Sequence, residues 1–321
     1  MAAAHPPLTW HLEPLFVEGL NVFAGAPKVG KSWLLQNLAM AVATGGVVLG
    51  RRVQRRPVLH MALEDSDRRL QARGRQLGFI ETDDLLDDWY TVTRLNGESV
   101  PELMARWAEQ LPLESPPPLA ILDTWGRAKG PRPPSMSPYD HDYAVGGALK
   151  EAADAIPGGA LICGHHDRKA DSPDFVDSLS GTNGVAGSAD TIIVLRRDRI
   201  QSDGVVLVTG RDVDEASYAM RFEAGIWSLV GDDWGTARTA AAQVAATVGR
   251  GDLSRQIITL LAEHGPGGPA ELLDLLTGSG TDATIDAVRM ALTRLREGGY
   301  IVRPTRGVYA LPDPALPLEQ P

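Results

Sequence analysis

The stretch GAPKVGKS, Gly25 to Ser32, holds two glycines, two lysines and a serine at the spacing that wraps a phosphate chain. Glycines at 25 and 30 let the backbone turn its N–H groups onto phosphate oxygens, with Ala26, Pro27, Lys28 and Val29 completing the loop. Lys31 is placed to reach the β- and γ-phosphates, the Ser32 hydroxyl to sit on Mg²⁺, and Trp33 to open the helix behind them. The ligand expected is therefore ATP with Mg²⁺. A hydrolytic site of this kind also needs a carboxylate behind the metal, and PLAILDT supplies Asp123 at a strand end. It needs a group that orients water as well, and VLHMALEDS offers Glu64 and Asp65. Asp65 suits the cap of the following helix, which leaves Glu64 as the base. Finally, LICGHHDRK ends another strand on His165 and His166; adjacent strand residues face opposite ways, so one of them can face the phosphates. Metal binding is the rival use of this pair, but adjacent histidines are poorly spaced as ligands.

The elements that must position these groups follow from periodicity. Runs rich in Val, Ile and Leu predict strands at 20–24, 58–63, 90–95, 119–122, 160–163 and 191–195, and helical periods predict helices near 32–43, 66–77, 100–111 and 142–155. That alternation is the mark of an α/β fold with a mostly parallel sheet. After Asp190 the segments VVLVTGRD, YAMRFE and IWSLV predict antiparallel strands that close the sheet. The first domain is expected to span 1–230. Residues 231–250, rich in Ala, Thr and Gly, read as a linker that could itself be helical. Residues 251–312 predict three helices, at 253–264, 269–276 and 283–297, followed by a hairpin around Thr305-Arg306-Gly307, the outline of a winged helix. Residues 313–321 read as a disordered tail.

Composition bounds the partners. A chain of 321 residues with 43% hydrophobic and 22% charged residues has ample core for a large and a small domain. No apolar run is long enough to span a membrane, and the N-terminus has no secretory pattern, so a cytoplasmic protein with no membrane partner is expected. The single cysteine, Cys163, lies in an apolar strand and reads as a small buried hydrophobe, which excludes zinc chemistry. A net charge of −10 argues against a surface that is basic throughout, while leaving room for a local basic channel.

Taken together, GxPKxGKS, the strand ending in Glu-Asp, LDT, His-His-x-Arg-Lys, the Gly-Ser-Ala-Asp segment at 187–190 and the Gly-Arg-Asp at 210–212 resemble the RepA-like branch of RecA-fold, AAA-type ATPases. That branch includes plasmid hexameric replicative helicases and phage or mobile-element ATPases. The resemblance implies a RecA-like core that assembles as a ring, commonly a hexamer, around single-stranded DNA. It assigns Glu64 as catalytic base, His166 as γ-phosphate sensor, Arg211 as a finger reaching the neighbour's site, and Arg168 and Lys169 as DNA contacts. The chain departs from the pattern at Ser180, where plasmid RepA proteins carry arginine, and at Thr209, where DnaB-type helicases carry lysine. Arg289, Arg294 and Arg306 of the winged-helix-like domain are the further candidates for nucleic-acid phosphates. Asp282, Asp286 and Glu297 in the same stretch fit a protein-docking module equally well, for a replication partner. Two other functions compete: an ATP-dependent DNA-binding regulatory or loading factor that does not unwind DNA, and a P-loop small-molecule kinase, which needs an acceptor pocket and a lid with several arginines where the antiparallel strands after Asp190 do not suit one.

Overall fold

The computed structural model describes residues 6–78, 88–166, 187–197, 202–247, 252–297 and 299–312. The chain divides into two compact units, 1–238 and 239–321.

In the first unit a short antiparallel pair, β1 (Trp10–Leu12) and β2 (Phe16–Val17), precedes β3 (Gly19–Gly25). The phosphate-cradle loop follows, and α1 (Lys31–Thr44) leaves it. A two-residue pair, β4 (Val47–Val48) with β5 (Arg51–Arg52), leads to β6 (Val58–Ala62). Next come α2 (Asp67–Gln76), β7 (Trp89–Val92), α3 (Val100–Ala108), β8 (Leu119–Asp123), a single turn α4 (Trp125–Ala128), α5 (Pro138–Asp154) and β9 (Ala160–His166). Then β10 (Thr191–Arg197), β11 (Asp203–Gly210), β12 (Ala216–Glu223) and β13 (Ile226–Leu229) complete the strands, and α6 (Trp234–Thr247) begins in this unit and ends in the second.

Nine strands form one sheet in the order β13, β12, β11, β10, β3, β9, β8, β6, β7. From β10 to β7 every neighbouring pair is parallel, and from β10 to β13 every pair is antiparallel. The parallel strands are apolar on both faces because helices cover both. Phe23, Ile121, Ile162 and Ile193 pack with Leu34, Leu35 and Leu38 of α1, whereas Leu20, Val22, Leu122 and Cys163 pack with Leu103 and Met104 of α3 and Leu149 of α5.

Helix starts follow their caps more closely than the apolar periods do. The Ser66 hydroxyl accepts from Arg69 N–H and caps α2, so Asp65 does not serve as the cap expected of it. Ser99 and Glu102 form a reciprocal capping box on α3. Ser137 accepts from Asp140 N–H, and Pro138 suits a first turn, so α5 begins four residues ahead of the predicted 142. Residues 234–247, expected as linker, are helix α6. Small side chains let it pack closely: Ala237 is buried and Trp234 lies edge-on to Tyr218 at 5.0 Å between ring centroids.

The second unit contains α7 (Asp252–His264), α8 (Pro269–Gly278), α9 (Ile285–Glu297), and an antiparallel pair, β14 (Val302–Thr305) with β15 (Val308–Ala310). Ile257, Ile258, Leu261, Leu272, Leu276, Val288, Leu292, Leu295 and Ile301 form its own core, and Gly267 bridges to Tyr309.

Candidate functional site

Register brings the chemistry to one edge. Gly25 of β3 lies opposite His166 of β9, Asp123 of β8 opposite Gly164, and Ala62 of β6 opposite Asp123. The carboxyl ends of four parallel strands thus carry the cradle, Glu64, Asp123 and His166 side by side, the edge where open α/β sheets bind ligands.

The cradle has the backbone of a phosphate nest. Lys28 has φ 69° and Gly30 φ 107°, both in the left-handed region, and α1 starts directly on Gly30 with no side-chain cap among the described residues. By contrast α2, α3 and α5 are each closed by a serine. The first-turn N–H groups of α1 and its positive dipole end therefore point at the loop uncapped. Pro27 and Lys28 are exposed on the outside of the loop, while Val29 is buried in the core beneath it.

Lys31 is only 5% exposed. Its ammonium donates to the carbonyls of Gly25 (2.6 Å) and Ala26 (3.1 Å) and lies 3.3 Å from His166 Nδ1. A lysine ammonium only donates, so Nδ1 accepts and the ring proton sits on Nε2, which is 3.4 Å from Glu64 Oε2. The other oxygen of Glu64 accepts from the Thr124 hydroxyl at 2.7 Å. Glu64 is thereby oriented from two sides while its side chain stays 40% exposed, open to water. His165 turns to the opposite face, edge-on to Trp125 at 6.4 Å, and burial lowers it to about 4. The pair splits across the sheet as the strand geometry requires, and among the described residues no group of ligands could hold a metal by itself.

Asp123 is buried, and burial raises its carboxyl above the ordinary range, opposed first by a hydrogen bond from Ser32. Its Oδ1 has no hydrogen-bond partner among the described residues. A Cβ at position 164 would come within 3.1 Å of that oxygen, so Gly164 keeps the space clear. An orphaned buried carboxylate oxygen behind a serine hydroxyl at a phosphate nest fits Mg²⁺, which keeps most of its ligands as waters and phosphates and needs only one or two from protein.

Asp65, beside Glu64, is held by Arg73: its Oδ2 lies 2.8 Å from Nη1, both side chains being buried. Arg73 also donates to Gln36 of α1 (3.2 Å) and lies 5.3 Å from the Trp33 ring centroid. Arg73 therefore fastens α2 to α1, and Asp65 ties the strand end that carries Glu64 to α2.

Arg211 lies elsewhere. It follows β11, whose Gly210 is opposite Thr191, at the amino end of the parallel strands. Its guanidinium is 3.5 Å from Asp190 and 64% exposed. The seven residues of β3 separate that edge from the cradle, about 20 Å at the usual rise per residue. Arg168 and Lys169 lie outside the described residues. In the second unit Arg289, Arg294 and Arg306 are exposed, and Arg289 pairs with Asp286 at 3.4 Å.

Three contacts escape the sequence patterns. Thr124 was hidden beside Asp123. Arg197 and Trp227, from strands that seemed only to close the sheet, donate to the outer carbonyls of the cradle. The only sequence signal was an arginine ending a strand, which is commonplace on surfaces.

The family model for the AAA domain matches residues 1–172. The chain belongs to the AAA domain family. It is a P-loop NTPase with a RecA-like α/β core. Among solved structures, the chain is similar to a DnaB-like replicative helicase whose structure was described with its interactions with primase, at 14% identity and a TM-score of 0.51; the match covers 66% of this chain and 57% of that one. Also similar are a KaiC-like protein from the hyperthermophilic archaeon Pyrococcus horikoshii, at 14% identity, TM-score 0.47 and coverage of 67% and 90%, and the RadB recombinase, at 12% identity, TM-score 0.46 and coverage of 66% and 91%. No curated protein matches the sequence. No helix among the described residues is long and apolar enough to cross a membrane.

Proposed function

We propose that this AAA-domain NTPase is a RepA-like ring ATPase acting on single-stranded DNA, a cytoplasmic helicase or translocase of a plasmid, phage or mobile element. The observation that carries the reading is the separation of Arg211 from the cradle. A finger on the opposite edge of the sheet cannot serve its own phosphates, but head-to-tail packing of identical copies would set it against the next copy's cradle, and head-to-tail packing gives a ring such as a hexamer when the rotation between copies closes.

In this reading the cradle amides and Lys31 bind the β- and γ-phosphates, and Lys31 stabilises charge as the phosphoryl transfers. Bound Mg²⁺, held by Ser32 with Asp123 behind, would neutralise phosphate charge. Glu64, fixed by Thr124 and His166, orients the attacking water and accepts its proton. His166 touches both Lys31 and Glu64, so a change at either one reaches the segment that begins at Asp167 and carries Arg168 and Lys169, the proposed DNA contacts. Arg211 of the adjacent copy neutralises developing charge.

The second unit is proposed as a winged helix. The Arg289–Asp286 pair favours a second reading, a loading or regulatory factor that docks a replication protein there, because the pair lowers the positive field α9 offers to DNA phosphates. Steady-state ATP turnover with and without single-stranded DNA at fixed salt separates the two. Strong stimulation supports the motor; a rate that DNA leaves unchanged rejects it in favour of the loading factor.

A further inference from the structure

A phosphate nest turns its N–H groups inward, so its carbonyls must turn outward and find donors of their own. Lys31 takes those of Gly25 and Ala26. The carbonyls of Lys28, Val29 and Gly30, on the half of the loop nearer α1, are met from β10 and β13, that of Gly30 also taking the first helical bond from Leu34 N–H at 3.2 Å. Arg197 Nε donates to Val29 O at 2.9 Å and its Nη2 to Lys28 O at 3.4 Å, while Trp227 Nε1 donates to Gly30 O at 3.1 Å. The guanidinium of Arg197 lies 4.6 Å from the ring centroid of Phe222 and 5.8 Å from that of Trp227, so its plane is held as well as its charge. Register explains the reach: Leu195 of β10 lies opposite Gly25, which puts Arg197 just past the start of the loop. A Cβ at position 30 would come within 3.0 Å of Trp227 Nε1 and 3.3 Å of Phe222, so Gly30 is required by this brace as well as by its φ.

We propose that Arg197 and Trp227 are positioning residues of the nucleotide site, and that the antiparallel strands β10 to β13 form the outer wall of the phosphate cradle. The inference rests on the nucleotide reading of the P-loop. When Lys31 turns to phosphate it releases the carbonyls of Gly25 and Ala26, whereas Arg197 and Trp227 keep those of Lys28, Val29 and Gly30 facing out. The amides stay aimed before ligand arrives, and affinity comes from that preorganisation.

Trp227→Phe keeps most of the ring and removes the donor; Arg197→Lys keeps the charge and removes the fork. Binding of a fluorescent ADP analogue with Mg²⁺, kcat and KM for ATP, and melting temperature are measured for both. The Kd and KM should rise about three- to tenfold in Trp227→Phe, the worth of one net hydrogen bond, with kcat nearly unchanged. Arg197→Lys should move the same way, and the melting temperature of each should stay near that of the parent. Nucleotide affinity equal to the parent's in both variants, or losses that merely follow a lowered melting temperature, would overturn the inference. Should one variant fail to fold, the other decides. A parent protein that binds no nucleotide would instead overturn the P-loop reading itself.

Discussion

Acid should unfold the first unit earlier than its carboxylates alone would require, because it buries histidines that resist protonation in place. His11 is 2% exposed and His60 1% exposed, and the Nδ1 of each has no hydrogen-bond partner among the described residues. Burial, with the positive charge of Arg56 nearby, lowers His11 from 6.5 to about 3, a backbone contact to Gly158 opposing weakly. Burial and Arg73 lower His60 from 6.5 to about 4, against Asp65. Between 6.5 and these values the unfolded chain holds the protons that the folded chain refuses, so stability falls as pH falls and levels off below the folded values. At pH ~5 each histidine costs about 2 kcal/mol, on the order of 4 kcal/mol for the two, a large part of a typical domain's stability. His165, lowered to about 4, acts with the same sign. The raised carboxyl of Asp123 acts with the opposite sign and offsets part of the loss. Guanidinium unfolding followed by tryptophan fluorescence between pH ~7.5 and ~5 measures the slope. His11→Gln and His60→Gln should each flatten it by about one proton. A stability that changes by less than ~1 kcal/mol over this range, or a slope untouched by both substitutions, would mean that the buried histidines do not set the acid response.

Other outcomes are as definite. Glu64→Gln should lower turnover about 10²- to 10⁴-fold while nucleotide binding persists, seen by pairing single-turnover hydrolysis with a binding titration. Lys31→Ala and Arg211→Ala should each be inactive alone, yet mixing them should restore activity toward about a quarter of the sites, since a sound cradle then meets a sound finger from a different copy. Persistent silence of the mixture would remove Arg211 from the site. Gly146→Ala would place a Cβ 2.4 Å from Ser188 Oγ and 3.3 Å from the Trp125 ring. That overpacking should cost about 1–3 kcal/mol, read as a lowered melting temperature.

The cradle was legible in sequence because it is local: eight consecutive residues between a strand and a helix determine its backbone. Asp123 and Glu64 were legible because each ends an apolar run, and an apolar run in an α/β chain is a parallel strand whose carboxyl end lies on the ligand edge. The opposed faces of His165 and His166 followed from the two-residue period of a strand. What the sequence hid depends on register. Arg197 braces the cradle only because β10 lies beside β3 with Leu195 opposite Gly25, and no local pattern encodes that pairing. Asp65 looked like a helix cap until Ser66 took the role and Arg73 took Asp65, a competition between neighbours that propensity alone does not decide. The short pairs β1 with β2 and β4 with β5 are two or three residues long, too few for a period to show.

Steady-state phosphate release from ATP and Mg²⁺ by the parent protein beside Lys31→Ala decides whether this P-loop hydrolyses ATP. Turnover in the parent and none in the variant, with both equally folded, is the result predicted. Equal turnover in the two would contradict it.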